Sequence, residues 1–168
     1  MKIIFIDIDG VLNNQVWYMS DKFREGSTKE EYEVSQFDPR CVRLLNNLTD
    51  TTGAKIVVSS SWRLGRTVDE LSELFEKVGI TGQVIDKTPL LRFTGLENYY
   101  YSVPRGCEIK AWIEMNKGII GDKVSRLKYV ILDDDSDMLY WQRDKYIWVD
   151  PYNGLTPNII YKANKLLL

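Results

Sequence analysis

The chain of 168 residues has no histidine and only two cysteines. Without histidine, Ser-His-Asp and Cys-His catalysis and histidine-ligated zinc are excluded, so any catalysis would depend on carboxylates. Cys41 and Cys107 lie far apart without a metal-ligand spacing, and we interpret them as reduced structural thiols. No apolar run approaches the length of a membrane span, and residues 1–6 are too short for a signal peptide. We therefore expect a cytoplasmic protein with no membrane partner.

The formal net charge is only −2, so the chain as a whole does not attract nucleic acid or anionic membranes. With 44% apolar and 27% charged residues, the composition is that of a soluble globular protein with a buried core. No repeat, low-complexity tract or linker divides the chain. We expect residues 1–168 to form one domain, and nothing in the pattern specifies an oligomeric state.

Continuous apolar runs predict strands that are covered on both faces of a parallel sheet, at residues 2–6, 55–58, 84–85, 129–132 and 146–149. Helix starts lie between these runs. Asp38-Pro39 and Thr156-Pro157 each combine an N-cap with an N1 proline, and Thr67 with Glu70 forms a capping box. A further helix is expected after Pro104. The alternation predicts an α/β fold, a single Rossmann-like open parallel sheet with helices on both faces.

Four short apolar runs each end on polar residues, and the endings are Asp7-Ile8-Asp9-Gly10, Ser59-Ser60-Ser61, Arg105-Gly106 and Asp133-Asp134-Asp135. In an open α/β sheet, ligands bind beyond the carboxyl ends of the strands, so we expect all four endings at that edge. Together they offer carboxylates, hydroxyls and a fixed cation. These are the groups that phosphoryl transfer through an aspartyl phosphate needs.

The first ending carries two carboxylates that are two residues apart, Asp7 and Asp9. In an extended strand both would share a face, and a sharp turn at Gly10 could direct both at one phosphorus atom. One carboxylate would attack, while the other would protonate the leaving oxygen and later activate water. The alternative is an ordinary strand-ending turn, in which Asp and Gly are common.

The other endings would bind the phosphate and a metal. Ser59, Ser60 and Ser61 can donate to phosphate oxygens, unless they simply end a strand. The acids of residues 133–137 repel one another unless a cation is present, and oxygen ligands suit Mg²⁺; the alternative is a solvated acidic loop. Arg105 could neutralise the phosphate. The competing cation, Lys110, lies more than a turn into the helix, where we expect it to face solvent.

These segments resemble motifs one to four of the haloacid dehalogenase (HAD) superfamily of phosphohydrolases, in the same order over nearly the whole chain. Within it, the chain is most similar to the small HAD domains associated with RNA-repair (Swiss-army-knife) proteins. The residues that carry this resemblance are the Asp-Ile-Asp-Gly-Val opening at 7–11, Ser59-Ser60-Ser61-Trp62-Arg63, Arg105-Gly106 and the run 132–138.

The resemblance implies that Asp7 is the nucleophile and that Asp9 is the general acid and base, with its backbone carbonyl on Mg²⁺. Ser59 would bind the phosphate, and Arg105 would occupy the position usually held by lysine or arginine. The second acid, Asp9, favours phosphatase over dehalogenase chemistry.

In the last motif, the resemblance implies that Asp134 ligates the metal directly and that Asp133 supports it. Asp137 stands three residues after Asp134, and the choice among Asp133, Asp134 and Asp137 as direct ligands stays open at this point.

Residues 13–37 and 90–104 are insertions that are too short to close over a small metabolite. An open site suits a bulky substrate such as a nucleic-acid end. Stacking and phosphate contacts could come from Trp17, Tyr18, Lys22, Phe23, Arg24, Arg92, Phe93 and Tyr99-Tyr100-Tyr101. The alternative is that these aromatic residues pack the insertions onto the body. Our candidates for substrate binding are Gly10, Ser60, Ser61, Arg63 and Trp17.

The sequence therefore predicts a Mg²⁺-dependent phosphomonoesterase that acts through an aspartyl phosphate. The expected substrate is a nucleotide or a phosphorylated polynucleotide end. Two alternatives remain: a phosphatase of a small phosphorylated metabolite, and a non-catalytic protein that binds phosphate or a partner. A receiver-type phosphoacceptor domain does not match, because it has adjacent acids after its first strand and the phosphoacceptor later.

Overall fold

The computed structural model describes residues 1–94, 100–120 and 127–168. Five parallel strands form an open sheet, which confirms the predicted α/β architecture: β1 (Lys2–Ile6), β2 (Lys55–Val58), β3 (Val84–Lys87), β6 (Lys128–Asp133) and β7 (Tyr146–Trp148). Their order in the sheet is β3-β2-β1-β6-β7. In this register Ile6 at the end of β1 lies beside Val58 of β2 and Leu132 of β6.

The predicted helices begin at the predicted capping residues. Asp38 accepts a hydrogen bond from the backbone of Arg40, and Thr67 and Glu70 form the reciprocal capping box. The helices are α1 (Gln15–Tyr18), α2 (Lys29–Ser35), α3 (Pro39–Thr52), α4 (Val68–Lys77), α5 (Arg105–Met115), α6 (Lys117–Ile120) and α7 (Pro157–Leu167).

The central strand β1 is buried on both faces. Ile4 and Ile6 belong to the core that α3, α4 and α7 cover, whereas Ile3 and Phe5 belong to the core on the α5 side. There the ring of Phe5 meets that of Trp112 edge to face, with centroids 5.3 Å apart. Because β1 has no exposed side, the position of the residue that follows it is fixed by packing.

The structure corrects the expectation that Arg105-Gly106 ends an apolar run of the main sheet. The segment before it forms a separate antiparallel pair, β4 (Arg92–Thr94) with β5 (Tyr100–Ser102), and Arg105 begins α5 directly after Pro104. Proline lacks a backbone N–H and suits the start of a helix. Residues 95–99, including Tyr99 of the predicted stacking run, lie outside the described residues.

In the first insertion, residues 13–37, three aromatic residues pack together. Trp17 donates its indole N–H to the carbonyl of Ser35 at 2.9 Å, and its ring meets Phe23 edge to face. Tyr18 contacts the same Phe23 ring with centroids 5.3 Å apart. The guanidinium of Arg24 donates to the carbonyls of Asp21 and Phe23. For these residues, the packing alternative describes the structure better than the substrate-binding one.

Arg63 is buried and forms an ion pair with Glu108 of α5 at 2.5 Å. Its guanidinium also donates to the carbonyls of Ser60 and Thr88, at 2.8 and 2.9 Å. Glu108 in turn accepts from the backbone of Leu91 at 3.1 Å. The pair therefore ties the segments after β2 and β3 to α5, and the contact of Arg63 with substrate stays a prediction.

We expect Glu108→Gln to lower the free energy of unfolding by about 3 kcal/mol or more, because it leaves the Arg63 charge buried without its counterion. Urea unfolding of the purified variant measures this loss. The matched control is Glu114→Gln on the same helix, which breaks the exposed pair between Lys110 and Glu114 and should leave the unfolding midpoint unchanged. Equal midpoints for the two variants would contradict the structural role of the buried pair.

Candidate active site

Three carboxylates meet at the carboxyl ends of β1 and β6. One oxygen from each of Asp7, Asp133 and Asp134 lies within 4.8 Å of the other two. The backbone N–H of Asp7 donates to the carbonyl of Leu132 at 3.0 Å, which joins the two strand ends. Asp7 and Asp133 are buried, with 6% and 2% of their surface exposed, and Asp134 is half-buried. The parallel register therefore crowds like charges away from water.

Burial raises the pKa of Asp7 to about 7 and that of Asp133 to about 8. It raises the pKa of Asp134 as well. The positive charge of Arg105 opposes the rise in pKa of all three carboxyls. The negative charge of Asp7 raises the pKa of Asp133 further. Within the part of the chain that the structure describes, Asp133 Oδ2 is buried without a hydrogen-bond partner. A hard divalent cation such as Mg²⁺ fits this set of oxygen donors, because it would supply the missing partner.

Gly10 allows the turn that brings β1 close to the acidic loop, residues 133–137. Its φ is +70°, and a Cβ atom there would lie 2.4 Å from Asp134 Oδ2. The backbone N–H of Gly10 donates to Asn13 Oδ1 at 2.9 Å. The predicted substrate-binding residue Gly10 thus leaves room for the Asp134 carboxylate.

Asp9 is exposed, and two side chains hold its carboxylate. Trp62 directs its indole N–H at both oxygens, 3.0 and 3.1 Å away, and Asn13 donates its amide to Oδ1 at 2.8 Å. The charge of Asp9 contributes to the raised pKa of Asp7, so the two carboxylates are electrostatic neighbours. Sequence reasoning missed Trp62 and Asn13 as partners of Asp9. Only the place of Trp62 directly after the serines offered a signal for it.

The three serines at the end of β2 have different surroundings. Ser59 Oγ is buried and has no hydrogen-bond partner among the residues described. Ser60 is buried too, and its hydroxyl lowers the pKa of Asp7 by hydrogen bonding while accepting from the backbone N–H of Trp62. Ser61 is exposed at the start of the short 3-10 turn of residues 61–63. Ser59 therefore retains an unused hydroxyl, and Ser60 contacts the carboxylate cluster.

Arg105 is the cation beside the cluster. Its guanidinium donates to the carbonyl of Ser59, and its charge lowers the pKa of both Asp7 and Asp133. Lys110 is exposed and pairs with Glu114 instead, as expected. Arg105 thus links the end of β2 to the start of α5 at the edge where the acids lie.

Asp137 lies outside the carboxylate cluster. Its Oδ2 accepts from the backbone N–H of Arg105 at 2.7 Å, and its carbonyl accepts from that of Gly106 at 3.3 Å. These contacts satisfy free N–H groups at the start of α5. Asp137 therefore contacts the helix end that carries Arg105, whereas Asp133 and Asp134 lie near Asp7, and metal binding by Asp137 stays a prediction.

Two aromatic residues of β7 donate hydrogen bonds to the backbone of the acidic loop. Tyr146 donates its hydroxyl to the carbonyl of Asp135 at 2.9 Å, and Trp148 donates its indole N–H to the carbonyl of Asp134 at 2.8 Å. The sequence pattern marked both only as residues of a strand. Their hydrogen bonds fix the backbone from which the acids project.

The predicted site residues thus divide into two groups. The structure brings together Asp7, Asp9, Gly10, Ser59, Ser60, Arg105, Asp133 and Asp134, whereas Trp17, Arg63 and Asp137 have packing or backbone contacts elsewhere. Ser61 is adjacent to Trp62 and exposed. The assembled group retains the acids, the cation and one free hydroxyl.

Residues 3–159 match the family model described as the HAD domain in Swiss Army Knife RNA repair proteins. The chain belongs to this family. The resemblance inferred from the motifs is confirmed, and membership indicates a phosphatase-type function for this HAD domain. The comparison with curated proteins gives no match, and neither does the comparison with solved structures.

Among the described helices of this HAD domain, none combines the length and apolar character needed to cross a bilayer. The cytoplasmic location and the single-domain organisation stay predictions from the sequence.

We expect the metal-free HAD domain to lose stability as the pH rises from about 4 to about 8. A carboxyl whose pKa is raised on folding stabilises the native state while it is protonated, and this contribution disappears as the pH passes through the folded-state pKa. Chemical unfolding in EDTA across this range measures the effect. Asp133→Asn should flatten the decline, and the exposed control Asp144→Asn should not. A parent protein whose stability rises throughout the range would contradict the expectation.

Magnesium binding should distinguish Asp134 from Asp137. We expect Asp134→Asn to weaken Mg²⁺ binding by at least about tenfold, or roughly 1.4 kcal/mol, because a carboxylate of the cluster is lost. Asp137→Asn should retain the affinity within about threefold, or roughly 0.7 kcal/mol, because its contacts are to α5. Titration calorimetry in the absence of substrate measures both constants. The reverse ranking would assign Asp137 to the metal and contradict the arrangement described.

Proposed function

We propose that this protein is a Mg²⁺-dependent phosphomonoesterase that acts through an aspartyl phosphate on Asp7. The observation that supports the proposal most directly is the buried cluster of Asp7, Asp133 and Asp134, with Arg105 and Asp9 beside it. Nucleophile, cation and acid are thus concentrated at one sheet edge.

In the proposed first step, an oxygen of Asp7 attacks phosphorus and the bond to the leaving oxygen breaks. Asp9 donates a proton to that oxygen, so the alcohol leaves neutral. In the second step, Asp9 removes a proton from water that attacks the phosphoryl group, which releases inorganic phosphate and restores the Asp7 carboxylate. The hydrogen bonds from Trp62 and Asn13 orient Asp9 for both transfers.

Asp7, Asp133, Asp134 and the backbone carbonyl of Asp9 would hold the magnesium ion. When bound, Mg²⁺ supplies positive charge that favours the ionised form of Asp7 and offsets charge on the phosphoryl oxygens. The Arg105 guanidinium and the unused hydroxyl of Ser59 complete the binding of these oxygens.

The proposed substrate is a nucleotide or the phosphorylated end of a polynucleotide. Membership of a family described by its occurrence in RNA repair proteins supports this class. With either substrate, the released alcohol is a ribose or deoxyribose hydroxyl, which is a poor leaving group. An oriented acid such as Asp9 matters most for such groups.

Asp7→Asn tests the nucleophile. We expect the amide to keep the shape of the side chain and to abolish phosphate release from phosphorylated oligonucleotides and from p-nitrophenyl phosphate alike. Phosphate release is measured beside the exposed control Asp144→Asn, with circular dichroism to confirm folding. Turnover by Asp7→Asn close to that of the parent, in preparations free of other phosphatases, would reject covalent catalysis by Asp7.

Metal removal tests the cluster. We expect no activity in EDTA, recovery with Mg²⁺, and inhibition by Ca²⁺, because the larger ion coordinates more loosely and misplaces Asp7. The same phosphate-release assay measures all three conditions. Full activity after exhaustive chelation would show that the carboxylates work without a metal.

A further inference from the structure

A shallow surface cavity of about 440 Å³, largely open to solvent, lies between α2 and the segment that follows β2. Two aromatic residues, two cations, one acid and one hydroxyl line it: Tyr32, Trp62, Lys29, Arg66, Glu33 and Ser61. The residues of its α2 side belong to the first insertion. The cavity therefore lies where this insertion meets the segment of the three serines.

Trp62 connects the cavity to the proposed acid. Its ring forms part of the cavity wall, while its indole N–H donates to both carboxylate oxygens of Asp9. A general acid must face the oxygen that leaves. The cavity is thus connected through Trp62 to the proposed acid.

The lining chemistry fits a flat aromatic group that is attached to an anion. Tyr32 is 44% exposed, so its ring is available for stacking. The guanidinium of Arg66 lies over the Trp62 ring, 5.4 Å from its centroid, and pairs with Glu33 at 2.7 Å. Lys29 lies 3.9 Å from the same carboxylate, and its side chain is 89% exposed. The charged residues that line the cavity are thus two cations and one acid.

Other aromatic and basic residues of the first insertion are engaged in packing. Trp17 and Tyr18 each contact Phe23, and the guanidinium of Arg24 donates to backbone carbonyls. The combination of an exposed ring and an exposed cation occurs instead at Tyr32 and Lys29. Base stacking on aromatic residues beside a positively charged path is the usual mode of binding single-stranded nucleic acid.

We propose that this cavity binds the terminal nucleoside of a phosphorylated polynucleotide, with the base against Tyr32 and Trp62 and the next phosphodiester facing Lys29 and Arg66. The inference rests on the proposed function, because it assigns the nucleoside as the leaving group. It adds the prediction that substrate preference depends on α2 and not on the carboxylate cluster.

The test compares oligonucleotides that carry a 3′- or a 5′-phosphate with p-nitrophenyl phosphate, which has no nucleoside. Tyr32→Ala should lower kcat/KM for the preferred oligonucleotide about tenfold and leave p-nitrophenyl phosphate unchanged within about twofold. Lys29→Gln should lower oligonucleotide turnover about threefold and flatten its salt dependence by about 0.7 in logarithmic slope. The matched controls on α7 are Tyr161→Ala and Lys162→Gln, which should leave kcat/KM for both substrates unchanged.

Failure of the inference can be told apart from failure of the proposed function. If the parent hydrolyses p-nitrophenyl phosphate and Tyr32→Ala matches Tyr161→Ala on every oligonucleotide, the cavity assignment is overturned and the phosphatase stands. If the parent hydrolyses no phosphomonoester, binding of fluorescein-labelled phosphorylated oligonucleotides to the parent and Tyr32→Ala decides. About tenfold weaker binding by Tyr32→Ala would support the cavity, and equal binding would overturn it.

Discussion

The burial of like charges at the ends of β1 and β6 is the constraint on which the rest of the site depends. Parallel pairing sets Ile6 beside Leu132, so that Asp7 and Asp133 follow at the same edge. Both carboxyls leave water, and their pKa values rise accordingly. Arg105 offsets part of this cost, and a bound cation would offset more. The fold thus concentrates negative charge at one sheet edge, and a bound Mg²⁺ ion would reduce the cost of burying it.

Most polar contacts around the cluster fix the backbone and do not point at a substrate. Asp137 anchors the start of α5, Arg63 and Glu108 join that helix to the segments after β2 and β3, and Trp148 holds the acidic loop. Such contacts hold separate chain segments in one geometry, which preorganises the groups that remain free. Asp9 differs from the other acids, since it is exposed and held by side chains that also reach the first insertion.

Short-range patterns predicted the sheet, the capped helices and the meeting of the main acids at one sheet edge, because strand ends and helix caps depend on neighbouring residues. Contacts between distant residues were not accessible in this way. Trp62 is 53 residues from Asp9, and Glu108 is 45 residues from Arg63. The local pattern does not distinguish among the acids from Asp133 onward. The contact of Asp137 with the start of α5 depends on the path of the loop. Trp17 carries no local signal that separates packing from stacking.

A phosphorylated Asp7 is the species on which the proposed mechanism depends. Asp9→Asn should form it from p-nitrophenyl phosphate, whose leaving group needs little protonation, and should hydrolyse it slowly for lack of a base. Acid quenching during turnover, proteolysis and mass spectrometry should then find phosphate on the peptide that contains Asp7, in a linkage that alkali cleaves. Release of p-nitrophenol without any phosphorylated peptide, or phosphate on the peptide of Ser59, would contradict the mechanism.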